Sequence, residues 1–272
     1  MALKLEYTAK TTTPVEVEGV IPDTLSSLSI EEIEKLEIYH GNETVSLGDF
    51  FDVSGDPSDA EVDWHGDLSG VHWIGAKMTR GVMRIHDDVG RHLGSEMRGG
   101  EIVALANAAD WVGAEMKGGQ IRVHGNAGHL VGAAYRGSQR GMTNGTILID
   151  GNAGNEIGHT LRRGMIVVGG NAGDLIGFNM LAGTIVVYGE VGIRHGAGMR
   201  RGTIGLFHSE TQKLLPSFRF GCRIRPPFVT PMLRQFDQLN FPVPELLRDC
   251  EFDLFHGDLI EGGRGEILMP AN

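Results

Sequence analysis

Two histidines and two glutamates have spacings that could bring them together. His86 and His124 are 38 residues apart, and Glu96 and Glu115 are 19 apart. In the repeat described below, 38 residues correspond to two repeats, or about 9.6 Å at ~4.8 Å per strand, whereas zinc needs ligands at ~2.0–2.1 Å. We therefore predict no metal site. Stacked glutamates repel unless a cation pairs with them, so we expect a solvated row with Lys77 rather than an acid–base pair.

The chain offers no activated nucleophile. No serine lies in a nucleophile elbow, and neither Cys222 nor Cys250 has a histidine motif nearby. Two cysteines without C-x-x-C spacing favour neither a metal cluster nor a disulfide framework. The sequence thus predicts no catalytic residue and no cofactor bound by this chain.

A row of cations is the more suggestive pattern. One position of the repeat is basic in four units, at Arg98, Lys117, Arg162 and Arg200. The chain is otherwise acidic, with a formal net charge of -11, which argues against nucleic acid as a partner. The row is either a solvated turn or a contact for an acidic partner surface or a polyanionic ligand tail.

These spacings arise from an internal repeat. One unit reads roughly N-A-G-x-L-I-G-x-x-M-x-x-G-x-I-x-V-x-G, and its central glycine occurs at Gly75, Gly94, Gly113, Gly132, Gly158, Gly177 and Gly196. The spacing is 19 residues except for one interval of 26. The extra residues, around Tyr135 to Gly141, are rich in Arg, Gly and Ser and predict an exposed loop.

Each unit contains a short β-branched run that is typical of a strand. Alternate positions of these runs form two apolar columns that we expect to face inward, beginning with Met83 and Ile85. Asn107, Asn126, Asn152 and Asn171 share one turn position and predict a ladder of stacked asparagines. A 19-residue unit with two or three short strands is one coil of a solenoid. The sequence therefore predicts an all-β fold: a right-handed parallel β-helix of about seven coils with a cap at each end.

Three neighbouring units carry apolar residues on the opposite, outward face of the strand, at Leu148, Val167 and Val186. A contiguous exposed apolar patch marks an interface unless another segment of the chain covers it. We predict that these residues contact a partner or the tail.

Three regions follow from the repeat. Residues 1–61 form an N-terminal cap with a helix that opens on a capping box at Ser29 and Glu32, 62–208 form the β-helix of G-x-x-G repeats, and 209–272 form a Pro/Phe-rich tail whose prolines break the β pattern. Neither a signal sequence nor a membrane span is predicted. We expect a cytoplasmic protein.

The glycine-rich unit, as in Gly173 to Gly183, resembles that of the formylmethanofuran dehydrogenase C-subunit family. This resemblance covers nearly the whole chain. The unit is also similar to the C-terminal β-helix domain of the glutamate synthase large subunit, but that likeness covers the coils alone.

The resemblance implies a non-catalytic structural subunit of a complex in one-carbon metabolism. Its bacterial form is a formyltransferase/hydrolase complex, which carries formaldehyde-derived units to formate on methanofuran-type carriers and has a binuclear-metal amidohydrolase subunit and a formyltransferase subunit. Its methanogen form is a tungsten or molybdenum formylmethanofuran dehydrogenase with a pterin-oxidoreductase subunit. Arginine outnumbers lysine by 18 to 6, which favours the bacterial form. The alternative is a stand-alone domain of the glutamate synthase or carbohydrate-active kind.

Overall fold

The computed structural model describes residues 2–208 and 212–271 and is dominated by one large sheet. Within these residues, 13 strands join this sheet, most of them in parallel, and four more form a second sheet. The mostly β prediction is therefore confirmed.

The N-terminal region supplies strands to both sheets. Strands β1 to β5 are Leu3–Tyr7, Val15–Glu16, Glu37–His40, Glu43–Ser46 and Phe51–Ser54; helices α1 and α2 are Pro22–Leu25 and Ile30–Glu34; and 3₁₀ turns occupy Leu47–Asp49 and Pro57–Asp59. The predicted capping box is present, because Ser29 and Glu32 bond each other's backbone N–H groups at the start of α2. Strand β1 pairs in parallel with the first strand of the repeats, β6, so this region extends the large sheet.

After the N-terminal region, two strands precede the first central glycine, and each of the seven repeats then adds one strand. Strands β6 to β14 are Glu61–His65, Val71–His72, Val82–Ile85, Glu101–Ala104, Gln120–Val123, Thr146–Ile149, Met165–Val168, Thr184–Val187 and Gly202–Leu206. All but β7 belong to the large sheet, and β8 to β14 pair in unbroken parallel order and in register. Residues 19 apart are therefore direct neighbours, as the glycine spacing predicts; across the 26-residue interval the neighbours are Gln120 and Thr146.

Two further tracks of backbone bonds tie successive repeats together. A line of isolated parallel bridges runs from Leu68 to Val191. From the second repeat onward, the central glycine at the corner donates to a carbonyl of the preceding repeat, as in Gly113 N to Leu93 O at 2.8 Å. Each repeat thus contacts the next through a strand, a bridge and a corner.

The interior is filled by the predicted columns. Met83 and Ile85 and their equivalents in later repeats are at most 1% exposed. A methionine column lines the corner, and in the repeat with the insertion Met142 takes that position, although it lies downstream of the extra loop. The insertion therefore leaves the core pattern intact.

The tail returns to the sheet. Strands β15, β16 and β17 are Arg219–Ile224, Phe252–Gly257 and Gly265–Pro270; helices α3 and α4 are Val229–Gln238 and Leu246–Asp249; and a 3₁₀ turn occupies Leu259–Glu261. Strand β17 pairs in parallel with β14, and β16 and β15 follow antiparallel. The tail thus adds three strands to the sheet, and its prolines between residues 216 and 244 all lie outside these strands; Pro270 is the last residue of β17, where a missing N–H costs little. No helix among the described residues is long and apolar enough to cross a membrane.

Candidate functional site

The predicted asparagine ladder is present along one edge of the stack. Each side-chain oxygen accepts the backbone N–H of the equivalent residue in the next repeat: Asp88 from Asn107, Asn107 from Asn126, Asn126 from Asn152, Asn152 from Asn171, and Asn171 from Glu190, at 2.7–3.0 Å. The ladder supplies acceptors for the backbone N–H groups of the turns, so its role is structural.

A second ladder, which sequence reasoning missed, runs three residues further along each turn. Oδ1 of Asp110 accepts from His129 N, Nδ1 of His129 from Asn155 N, Oδ1 of Asn155 from Asp174 N, and Oδ1 of Asp174 from Ile193 N, at 2.7–2.9 Å. The varied residue types conceal it in the sequence. The residues of this ladder share a side-chain acceptor atom that lies close to the backbone.

The glutamates and histidines that suggested chemistry are bonded separately. Glu96 pairs with Lys117 at 2.9 Å, and this hydrogen bond and charge lower the pKa of Glu96. Glu115 accepts from the backbone N–H of Tyr135. His86 contacts Asp63 at 3.2 Å, and His124 contacts Asp150 at 2.6 Å. Within 2–208 and 212–271, no three His, Cys, Asp or Glu side chains are placed to hold a metal ion.

An aromatic cluster, also missed, lies over three corners. The ring of His92 stacks on Trp73 with centroids 4.2 Å apart, and Tyr135 packs on Trp111 at 5.0 Å. The tyrosine hydroxyl lies 3.0 Å from Nδ1 of His92 and donates to Ser95, which is fully buried. Trp73, His92 and Trp111 occupy one repeat position, and this aromatic column is visible in the aligned units.

The outward apolar row is covered by the tail, which is one of the two predicted contacts, and the alternative of a partner contact at these residues is corrected. Leu148, Val167 and Val186 are at most 1% exposed and belong to a core cluster with the tail. The tail residues of this cluster are Val229, Met232, Leu233, Phe236, Phe241, Leu247, Phe252 and Leu268. Burial of these apolar side chains fixes α3 across the outer face of the sheet.

The predicted basic row is divided. Arg162 and Arg200 lie in one open groove of about 740 Å³, together with Arg140 from the insertion, Arg201, and Arg264 from the tail. Glu261 is the acidic residue of the lining and pairs with Arg200 at 3.2 Å. Arg98 and Lys117 are outside this lining. Sequence reasoning missed Arg140 and Arg264 because both lie outside the repeat pattern.

The groove has the chemistry of an anion-binding surface. Its floor includes Gly198, whose φ is +72° and whose added Cβ would meet the side-chain oxygen of Asn179. Five guanidinium groups against one carboxylate attract anionic groups, and guanidinium forks bind carboxylates in two-point contacts. This arrangement can therefore bind anionic groups.

Comparison with known proteins gives three findings. No family model matches the chain. The C subunit of the tungsten-containing formylmethanofuran dehydrogenase 2 of Methanothermobacter wolfeii is 41% identical over 86 residues, 30% of this chain and 32% of that protein. The C subunit of the molybdenum-containing formylmethanofuran dehydrogenase 1 of Methanothermobacter thermautotrophicus is 44% identical over 82 residues, 30% of this chain and 20% of that protein. The match thus spans a third or less of these relatives' length.

A solved structure matches over the full length. It is a chain of the formyltransferase/hydrolase complex FhcABCD from Methylorubrum extorquens, determined in complex with methylofuran. The TM-score is 0.91 at 31% identity, covering 99% of this chain and 100% of that chain. The fold and the groove define a stacked-repeat β protein with an open, basic groove. The chain belongs to the family of formylmethanofuran dehydrogenase C subunits.

Proposed function

We propose that the chain is a non-catalytic scaffold subunit of a formyltransferase/hydrolase complex in one-carbon metabolism. In this proposal the complex oxidises formaldehyde-derived units to formate through formyl-methanofuran-type carriers. The full-length match to a chain of such a complex supports the assignment, because it includes the tail as well as the repeats. The binuclear metal site and the carrier belong to other subunits, which are amidohydrolase-like and formyltransferase-like. A cytoplasmic location remains a prediction.

The same proposal includes the finer description of the fold. We infer that the stacked repeats form a right-handed parallel β-helix, with each 19-residue unit as one coil. Parallel neighbours joined by crossover segments are right-handed in nearly all proteins, and the three tracks of bonds between repeats fit three corners of a coil. The proposed regions are the N-terminal cap at 1–61, the coils at 62–208 and the tail at 209–272.

A second candidate is the C subunit of a tungsten or molybdenum formylmethanofuran dehydrogenase. The local identity of 41–44% to the Methanothermobacter dehydrogenases favours it. A stand-alone glutamate-synthase-type or carbohydrate-active domain is the third, and no clustered catalytic side chains in 2–208 or 212–271 support it.

Affinity purification from native lysate distinguishes the three. We expect the tagged chain to elute with amidohydrolase-like and formyltransferase-like subunits, and the eluate to release formate from a formylated carrier. A bound pterin with tungsten or molybdenum and formylmethanofuran-dependent electron transfer would favour the dehydrogenase. Elution of the chain alone, with activity on an acidic polysaccharide, would favour the stand-alone domain.

The arginine groove adds a role for the scaffold. We propose that it guides a polyglutamate-bearing carrier between active sites of the complex, since extended carboxylates match its chemistry. Arg162→Glu with Arg200→Glu should raise the KM for the carrier and leave kcat near its original value. Arg98→Glu is the matched control, because that residue belongs to the predicted row but not to the groove lining. Equal KM values in the two variants would contradict the role.

A further inference from the structure

Glu261 places a carboxylate inside the arginine groove. It is the last residue of the 3₁₀ turn Leu259–Glu261, and one of its oxygens lies 3.2 Å from Nε of Arg200. Within 2–208 and 212–271, no carboxylate pairs with the other four arginines of the groove, which are Arg140, Arg162, Arg201 and Arg264. A ligand that enters the groove therefore meets one acidic group of the lining, and that group is already bound to an arginine.

The turn that carries Glu261 is fastened to the floor of the groove. Asp258, which precedes the turn and is 4% exposed, accepts from Gly198 N with one carboxylate oxygen and from Ile260 N with the other, both at 3.0 Å. Gly198 belongs to the groove lining. The packing of the tail thus fixes the backbone of Glu261 beside the arginines.

The contact between Glu261 and Arg200 is a single, exposed one. It joins Nε of the guanidinium to one carboxylate oxygen, and the two side chains are 38% and 62% exposed. Exposed ion pairs of this kind contribute little, because water screens them. A carboxylate that binds a guanidinium fork at two points is held more strongly. A ligand carboxylate can therefore displace Glu261 from Arg200.

The arginines are spaced for an extended ligand. Arg162, Leu181 and Arg200 occupy one position in three successive repeats, so the first and the last are ~9.6 Å apart along the stack, at ~4.8 Å per repeat. With their side chains parallel, these two arginines need two separate carboxylates for two-point contacts. The groove thus matches a chain that carries several carboxylates at intervals.

We propose that Glu261 is a built-in competitor for such a polycarboxylate chain. In the empty groove Glu261 takes the place of a ligand carboxylate at Arg200, and in the occupied groove a ligand carboxylate displaces it. The competition keeps binding weak enough for a carrier to leave the groove for the next active site. This inference rests on the proposed function, because it needs the groove to bind the carrier.

Binding of fluorescein-labelled tetra-L-glutamate, followed by fluorescence anisotropy, tests the competition. The full chain and the intact complex are compared at 0.15 M ionic strength, where charges more than ~8 Å away are largely screened. Glu261→Gln should lower the Kd about fivefold, since the ligand no longer displaces an exposed ion pair. Circular dichroism of each variant checks that the fold is retained.

Glu245→Gln is the matched control. Glu245 is also an exposed carboxylate of the tail that pairs with Nε of an arginine, Arg248, at 3.1 Å, but it lies outside the groove lining. This variant removes the same charge and should leave the Kd as it is. A fivefold lower Kd in both variants would mean that the net charge of the chain controls binding, and it would overturn the competition.

A second background isolates the contact itself. In the Arg200→Gln chain, Glu261 has no Arg200 to occupy, so the addition of Glu261→Gln should change the Kd less than twofold. Two residues that act through one contact show such non-additivity. The same fivefold change with and without Arg200 would contradict the proposal.

The remaining outcomes separate this inference from the proposed function. Measurable binding with equal Kd in the wild type and Glu261→Gln overturns the competition and leaves the guiding role of the groove standing. Failure of both to bind tetra-L-glutamate overturns the competition and the guiding role, while co-purification still decides the scaffold assignment. Binding by the free chain but not by the intact complex shows that another subunit fills the groove, and it also overturns the competition.

Discussion

The hydroxyl of Tyr135 lies 3.0 Å from Nδ1 of His92, although 43 residues separate them in the chain. The same hydroxyl donates to Oγ of Ser95 at 2.8 Å, and Ser95 donates to the carbonyl of Trp111 at 3.4 Å. The contacts form one continuous chain of hydrogen bonds when Nδ1 of His92 carries the proton. Tyr135 belongs to the insertion that lengthens the fourth repeat. The insertion thereby links three corners of the stack.

Removal of the hydroxyl should destabilise the stack. Tyr135→Phe leaves the buried Ser95 oxygen without its donor, and we expect a loss of about 1 kcal/mol in the free energy of unfolding. Urea denaturation measures the change. Tyr39→Phe is the control, because that side chain is exposed. An equal effect in both variants would contradict the importance of the hydrogen-bond chain.

Stability should fall in mildly acidic solution because of His92. Burial, and secondarily the charges of His72 and Arg91, lowers the pKa of His92 from 6.5 to about 4. Between these two values the unfolded chain binds a proton that the folded chain does not, so stability decreases as the pH drops through this window. At ~1.4 kcal/mol per pKa unit this shift corresponds to about 3.5 kcal/mol; because solvent screens the partly exposed ring, we expect His92 to account for about 2 kcal/mol.

Two variants isolate that contribution. His92→Gln should flatten the dependence of unfolding free energy on pH between 6.5 and 4. His256→Gln, which replaces an exposed ring, should leave the dependence as it is. Identical profiles for the wild type and His92→Gln would show that another group controls the acid response.

The asparagine ladder should be sensitive to loss of its acceptor. Asn126 accepts from Asn152 N and donates to Asn107 Oδ1. Asn126→Ala should cost about 1 to 2 kcal/mol, whereas Asn126→Asp keeps the acceptor and should cost less. Asn42→Ala, in an exposed turn, controls for the change of residue. Thermal and urea unfolding of the three variants provide the comparison.

The central glycine of the repeat is required for two reasons that can be separated. Gly113 has φ +60°, and an added Cβ would lie 2.5 Å from Cδ1 of Ile147. Gly137 in the insertion has φ +88° with open space around it. Gly137→Ala should cost only the strain of a left-handed residue, about 1–2 kcal/mol. Gly113→Ala should add about 1–3 kcal/mol of overpacking. Urea unfolding of the two variants measures the difference, and equal losses would contradict the packing role of Gly113.

The tail should detach when its central aromatic residue is removed. Phe236 of α3 is fully buried in the cluster that α3 forms with the outward apolar row. Phe236→Ala should cost about 3–5 kcal/mol and make the region after residue 212 more sensitive to limited proteolysis. Phe228→Ala, which alters a ring that is 39% exposed, should leave the proteolysis pattern unchanged. Mass spectrometry of the fragments locates the cuts.

The repeat could be predicted because its signal is local and recurs. The same glycine, β-branched and asparagine positions return in successive units, so neighbouring strands, inward columns and the first ladder follow from spacing alone. The second ladder could not be predicted, since Asp110, His129 and Asn155 share an acceptor atom but no residue type.

The strands of the tail and two of the groove arginines escaped prediction for a different reason. Strand β17 continues the stack without the repeat motif, and α3 reaches its row only after the chain has reversed direction. Arg140 and Arg264 reach the groove from an insertion and from a turn of the tail. Contacts between residues that lie so far apart in the chain depend on tertiary packing, which leaves no periodic signal in the sequence.

The tail is anchored to the stacked strands at two places. At one end β17 is bonded to β14, and at the other Arg122 of β10 donates to the carbonyls of Leu239 and Asn240 just after α3. Four strand intervals, or ~19 Å, separate these anchors. A variant with one repeat duplicated between them would shift the anchors apart by ~4.8 Å, so α3 and β17 could not both keep their present partners without rearrangement of the segment that joins them. A change in the number of repeats therefore also requires a change in the tail.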